Sequence, residues 1–419
     1  MTKSLLSIKS FSGLARRIDA ATPPHRDRSV DALRALAILG VVLGHWLVTA
    51  IYHSGQGVLR GASPLQHMPW LTPLSWAFQT LAVFFFVGGH VGAKSYVSAR
   101  AGGVGYGRWL RKRLARLFRP VAMVLGIWAV ASGIMLATGV DVQTLRTLLT
   151  LVLSPLWFLM VFAVVTALTP LVARLSPVWP VGVVVVVDLG RFALGWPGWC
   201  GWVNVAAGWL VPYTLGAAWA RGRLNTPRCG LLLLVGGTLG CAALVTWGGY
   251  PASMVGVPGA RVSNLNPPTI AAVAFGVAQC GLALMAREPL RRLMARPAAW
   301  AAVALANMSA MTIFLWHQTA MLMVTTTGLS LGSLPGLHNM PDSAGWVAAR
   351  LGWLPVFALA LTLCWVAFRS CEQARKVPAK KGARVIRASL PDQATARCEQ
   401  NPPQRLSAAA GKDTGRTAA

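Results

Sequence analysis

Acidic side chains are scarce in this sequence: 11 Asp and Glu stand among 419 residues, and charged residues of both signs make up only 12%. A water-soluble domain carries about 25% charged residues, so a soluble globular chain is excluded as the main body of the protein. Cysteine is sparse and unpatterned. Cys200, Cys229, Cys241, Cys280, Cys364, Cys371 and Cys398 form no CxxC pair and no His/Cys ligand spacing, which excludes a disulfide framework and a zinc site and reads them as small apolar fillers. Met1–Arg28 is polar and basic and lacks the apolar core of a secretory signal, so the first apolar stretch is expected to be retained. Gly102, Gly103, Gly105 and Gly107 loosely echo a phosphate loop, but no strand pattern precedes them and no Walker lysine and hydroxyl follow. They read as a hinge before a basic helix.

Apolar residues are what the chain has in abundance, at 55%. Long apolar stretches recur with short polar gaps, each about the 20 residues needed to cross a hydrocarbon core of roughly 30 Å. The expected spans are Ala32–Tyr52, Pro73–Val97, Pro120–Val140, Leu148–Ala173, Pro177–Leu194, Cys200–Ala220, Gly230–Gly249, Thr269–Ala286, Ala298–Thr325 and Gly345–Phe368. The fold class is therefore all-α, a polytopic membrane protein with about ten transmembrane helices. Residues 1–28 form an amino-terminal segment, 29–369 the membrane domain, and 370–419 a basic tail whose Ala, Arg, Lys, Pro and Gln content predicts disorder.

Lysine and arginine set the orientation. Most of the 39 fall in the amino-terminal segment, in alternate gaps and in the tail, whereas the opposite gaps carry only Arg60, Arg146 and Arg261. That bias places both termini in the cytoplasm with an even number of spans. A formal net charge of +28 would suggest nucleic acid in a soluble protein. Here it is a topology signal and an attraction to anionic lipid, and no nucleic-acid partner is expected.

Ionisable groups retained inside apolar spans are costly in lipid and mark function by default. The first span holds the best set: Asp31, Arg34 and His45. Eleven residues is close to three helical turns, so Arg34 and His45 share one face, with His45 roughly 16 Å deeper along the axis. An arginine at the cytoplasmic surface suits a phosphorylated headgroup, because its planar fork stays charged and donates in pairs. A histidine deeper down suits hydroxyl activation, because its neutral form accepts a proton near neutral pH. The alternative is an interfacial Asp31–Arg34 pair with His45 in an interhelical hydrogen bond. Asp188 and Arg191 lie three apart on the fifth span; Asp188 either orients the histidine, binds a hydroxyl, or forms a buried structural pair. His90 and His317 are further polar groups inside spans, and the 18 tryptophans fit an interfacial belt.

These residues resemble a family. Asp31-x-x-Arg34, ten residues and then His45 is similar to the first-helix signature of the membrane-bound acyltransferase-3 family, which includes O-antigen and peptidoglycan O-acetyltransferases. Arg113-x-x-Arg116 followed by Pro120 resembles its basic motif. Phe84–Gly89, Pro155-Leu156-Trp157 and Leu315-Trp316-His317 look like further landmarks, and the resemblance covers nearly all of Arg28–Arg369. Family members commonly have Ser-Gly-Phe where this chain has Gly88-Gly89-His90, which removes any role for that serine. An esterase-like domain is not seen after the membrane core, which implies that one polypeptide completes the reaction.

The resemblance implies acyl-coenzyme A, with acetyl-coenzyme A the expected form, as a cytoplasmic co-substrate rather than a bound cofactor. Arg34, Arg113 and Arg116 would contact its phosphates and His45 would activate the hydroxyl of a glycan or small-molecule acceptor; Asp31 and Asp188 are further catalytic candidates from their placement in the spans, not from the resemblance. Direct transfer and an acyl-histidine relay fit equally. No metal is implied. Residue usage rich in Ala, Gly, Val, Arg and Trp points to a high-GC bacterial source and hence to the bacterial cytoplasmic membrane. A transporter using the same buried charges is the rival class, and a noncatalytic membrane sensor is a third.

Overall fold

The computed structural model describes residues 12–54 and 58–372. The first eleven residues and the tail beyond residue 372, with the disorder expected there, lie outside the described residues. The described chain is helical, with one two-stranded antiparallel sheet among its described residues.

Helix α1, Arg28–Val48, begins where Asp27 caps it, its carboxylate accepting from the Ser29 backbone N–H. A run of Ala, Leu, Ile and Val then carries it across 21 residues. Strands β1 (Ala50–Ser54) and β2 (Val58–Ala62) follow as a hairpin, where the sequence reading continued the helix to Tyr52. Tyr52 instead pairs with Arg60. The expected second span starts late as well: residues 64–75 form short helical turns, each opened by proline, and the long helix α2 runs Leu81–Ala101.

Helix α3, Tyr106–Ala137, is 32 residues long and passes straight through Pro120, which the sequence reading took as the start of a span. Its basic first half is built from Arg, Lys and Leu, which are strong helix formers. Helix α4 (Val142–Leu153) and helix α5 (Leu156–Ala167) divide the expected fourth span at Ser154-Pro155. Helices α6 (Val178–Phe192), α7 (Val203–Ala220), α8 (Pro227–Thr246) and α9 (Ile270–Met285) follow. Helix α10 (Arg287–Leu293) precedes α11 (Pro297–Met308) and α12 (Ala310–Gly328), and α13 (Ala344–Glu372) ends the described chain.

By length and composition, five helical segments can cross a membrane: Arg28–Val48, Tyr106–Ala137, Val142–Ala167, Pro227–Thr246 and Ala344–Arg369. Two bent pairs, α9 with α10 at 47° and α11 with α12 at 74°, raise the number to seven if each is one span. The chain is thus an all-α membrane protein. The other three expected spans correspond to α2, whose second half carries Lys94 and Arg100, to α6, only 15 residues long, and to α7, an unbroken helix of 18 residues that includes Asn204 and Pro212. An ideal helix of 15 residues covers about 22 Å, short of a typical hydrocarbon core.

Helices α2 and α7 approach so closely that they need glycine. A Cβ on Gly89 would lie 2.0 Å from the Tyr213 carbonyl oxygen, and one on Gly216 would lie 1.9 Å from that of Phe86. At Gly88, where the chain departs from the family's serine, a Cβ would lie 2.5 Å from the Phe162 ring. His90, one residue on, stacks on Trp219 with ring centroids 3.8 Å apart.

Candidate functional site

Arg34 and His45 both lie on the unbroken helix α1, so the spacing expected from sequence holds: roughly 16 Å of helix axis separates them. At the lower end, Asp31 is buried and bonded to Arg26, with Nε 2.6 Å from the carboxylate, while the Arg34 guanidinium sits 3.9 Å from the other carboxylate oxygen. Asn307 on α11 donates to the Asp31 carbonyl at 2.7 Å. Asp31 therefore anchors the first turns of α1 and leaves most of the Arg34 fork uncommitted. A single contact at 3.9 Å is too long for a strong hydrogen bond.

Arg113 reaches the same region from α3. Its guanidinium donates to Ser95 Oγ of α2 at 2.8 Å and lies over the Trp109 ring at 5.3 Å, and it is within electrostatic range of both Arg34 and Arg116. Arg116 and Arg119 are exposed. Arg34 and Arg113 thus converge from two helices, with Arg116 outside them. Like charges gathered without matching carboxylates destabilise the folded chain unless a polyanion occupies the space between them.

At the upper end, His45 meets α12. Gln318 Nε2 lies 3.1 Å from His45 Nδ1, and the His317 ring stands 5.1 Å from the His45 ring, centroid to centroid. A carboxamide can face the imidazole by either end. With its oxygen towards the ring it accepts Nδ1–H and leaves the lone pair on Nε2, the tautomer a general base requires. His317 is fully buried, its Nδ1 donates to the Phe314 carbonyl at 2.6 Å, and its Nε2 is buried without a partner. Trp46 Nε1 donates to the His317 carbonyl at 2.9 Å and fastens α1 to α12 directly beside the histidine.

Arg350 of α13 secures the far end of α1. Only 2% exposed, it donates to the carbonyls of Trp46, Thr49 and Gly336 at 2.7, 2.7 and 3.0 Å. A cation at the carboxyl end of a helix satisfies orphan carbonyls and complements the helix dipole. Its effect is to hold the last turn of α1, and with it His45, in one place.

His45 opens onto a cavity of about 340 Å³. Gln318 and Gln79 line it beside the histidine, and the hairpin and the loop around Val255 and Pro258 form its outer part.

Asp188 makes its contacts elsewhere. Its carboxylate accepts from Asn204 at 2.9 Å, from the Tyr250 hydroxyl at 3.1 Å and from the Ile270 backbone N–H at 2.8 Å, with Arg191 at 3.9 Å. It ties α6, α7 and the start of α9 together, the structural alternative of the sequence reading. His90 stays with Trp219 and does not line the His45 cavity. Neither does His317. The residue that sequence reasoning missed is Gln318; its signal was available, an amide inside an apolar span beside a histidine.

A family model described as an acyltransferase domain matches residues 27–369. No curated protein and no solved structure matches the chain.

Proposed function

The chain belongs to the membrane-bound acyltransferase-3 family and is an acyltransferase, and on that premise we propose that it moves an acetyl group from cytoplasmic acetyl-coenzyme A to a hydroxyl of a sugar, surface glycan or secondary metabolite. Its place in this reading is the bacterial cytoplasmic membrane, with ten spans and both termini in the cytoplasm. The observation that carries the reading is the two-ended helix α1. A cationic pair, Arg34 with Arg113, lies at one end, and His45 with its cavity lies about three turns away at the other. A long phosphorylated donor with a reactive terminus spans such a distance.

In the proposed reaction Arg34, Arg113 and the more exposed Arg116 hold the donor phosphates, and Asp31, bonded to Arg26, leaves the Arg34 fork free to do so. The acceptor hydroxyl gives its proton to His45 and its oxygen attacks the thioester carbonyl. The new C–O bond forms as the C–S bond breaks, and coenzyme A leaves as the thiol after taking up that proton. Gln318 holds the imidazole by Nδ1 and so keeps Nε2 for the acceptor. General base catalysis of this kind contributes about 10²- to 10⁴-fold. Asp188 serves as scaffold. In an acyl-histidine relay the same nitrogen attacks first, and rapid quench then traps an acylated His45.

The test is thioester turnover by the purified chain in nanodiscs, supplied with labelled acetyl-coenzyme A and a membrane and metabolite extract. Label should move to an acceptor, and His45→Ala and Arg116→Ala should each abolish or strongly reduce transfer. Transfer that survives His45→Ala removes the proposed base. A substrate accumulated unchanged in proteoliposomes, with no thiol release, establishes a transporter instead.

A further inference from the structure

The cavity beside His45 carries information about what enters it. Among the described residues no Lys, Arg, Asp or Glu lines it, and His45 is the only titratable group. Val41, Val48, Phe78, Leu81, Leu151 and Leu265 form most of the wall. Three of the five hydroxyls that line it are already directed to backbone carbonyls: Thr80 donates to Ala37 at 2.7 Å, Ser75 to Thr72 at 2.6 Å and Ser154 to Leu151 at 2.9 Å. The Gln79 side-chain oxygen accepts from the Leu81 N–H at 3.3 Å. Thr49, Ser63 and the Gln79 amide add a few neutral polar groups, and the one titratable group among the described lining residues is His45, beside Gln318.

A charge moved into such a space without a counter-charge or hydrogen bonds costs several kcal/mol. A polyhydroxylated ligand meets a related penalty, about 1–3 kcal/mol for each buried hydroxyl left unpaired. The volume, about 340 Å³, is at the small end of ligand cavities, which run from roughly 300 to 1,000 Å³. Arg60 and Arg261, the cations of the neighbouring hairpin and loop, are not among the lining residues, so the mouth supplies no anion contact.

Resting on the acyltransferase reading above and narrowing its acceptor, we propose that this cavity binds a small uncharged alcohol with a predominantly apolar body, admitted with one hydroxyl foremost against His45 and Gln318. Phosphorylated and carboxylated acceptors meet no counter-charge in the described wall, and a polyhydroxylated acceptor finds too few polar partners for all of its hydroxyls. The apolar body supplies affinity through burial, about 25 cal/mol per Å², and the contact with His45 and Gln318 sets orientation.

Two measurements on the full chain in nanodiscs test this separately from the acyl-transfer chemistry. In the first, a thiol is introduced by Val255→Cys at the outer lining, and its reaction rate with a neutral maleimide is compared with that of the parent chain. A panel of aliphatic, terpenoid and aromatic monoalcohols is expected to slow that rate at least fivefold, while carboxylate-bearing analogues and neutral disaccharides leave it unchanged. In the second, labelled acetyl-coenzyme A is supplied with the same panel. Ester is expected on the monoalcohols, with the charged analogues and disaccharides at least tenfold poorer. Protection or acylation by charged or polyhydroxylated compounds in preference to monoalcohols overturns the proposal. Protection by monoalcohols without ester formation keeps the cavity assignment and removes the acyl-transfer reading instead.

Discussion

Gln318 on α12 faces His45 on α1 at 3.1 Å, 273 residues away in sequence, so the ring that carries the proposed chemistry is set by an amide from another helix. The pairing is side chain to side chain, and a change at either residue is felt by the other.

Replacing Gln318 by Leu is expected to lower kcat roughly tenfold or more, a part of the whole general-base contribution, with the KM for acyl-coenzyme A unchanged. Gln318→Glu, which keeps an acceptor oxygen towards Nδ1, should recover part of the loss. Steady-state thiol release measures both. Equal activity of the Leu variant and the parent chain removes Gln318 from the mechanism.

Arg34→Ala and Arg113→Ala should act on the donor instead. Hydrogen bonds to charged groups are worth about 1.5–3 kcal/mol, so each substitution is expected to raise the KM for acyl-coenzyme A tenfold to a hundredfold and to weaken its dependence on salt. Arg34→Lys should rescue only in part, because an ammonium cannot present the paired fork. Donor binding titrated at two ionic strengths checks this.

Asp188→Ala should cost stability. Loss of that carboxylate frees Asn204, Tyr250 and the start of α9 and leaves Arg191 without its acid, a change of about 3–5 kcal/mol for a buried pair. The expected result is a lowered midpoint of thermal unfolding in detergent, with the donor KM of the folded protein unchanged. A catalytic defect in a chain of parental stability contradicts the scaffold role.

Asp27 contributes an acid-side pH dependence. Burial pushes its carboxyl up, but the Ser29 hydroxyl and backbone and the Arg287 guanidinium outweigh that and hold it below the usual range. A carboxyl depressed in the folded state stabilises fully above its unfolded pKa and loses that contribution as pH falls through the folded value. Stability should therefore drop as pH falls below about 4, and Asp27→Ala should flatten this drop while costing about 1 kcal/mol at neutral pH through the lost cap. Unfolding midpoints from pH 7 to 3 measure both effects.

Packing of α2 on α7 gives a fifth expectation. Gly89→Val must displace the Tyr213 carbonyl, and overpacking costs about 1–3 kcal/mol; Gly105→Ala, where nothing lies within 4 Å, should be close to neutral. Paired thermal unfolding curves separate the two.

Much of the molecule was legible before folding was considered. The first span had its apolar length in the sequence, and α1 forms there, starting four residues before the expected Ala32, behind the Asp27 cap. Where the reading missed, local signals competed. Pro120 looked like a boundary, because proline usually interrupts a helix, yet the surrounding Arg, Lys, Leu and Ala continue α3 past it. The hairpin after Val48 was hidden inside a stretch apolar enough to pass for helix, although Gly55 and Gly57 between β-branched and aromatic residues were a turn signal.

Composition determined the solvent of this protein, and the spacing of Arg34 and His45 determined that both project from one helix, because helical periodicity is a local property of the chain. The motif order likewise pointed to the family before any contact was known. Only tertiary structure decided that Asp188 binds Asn204, Tyr250 and the start of α9, that Arg113 comes up to Arg34, and that Gln318 rather than a carboxylate meets His45. Those partners are from 16 to 273 residues apart in the chain, and no local rule brings them together; the packing of α1 against α12, and of α6 against α7 and α9, does.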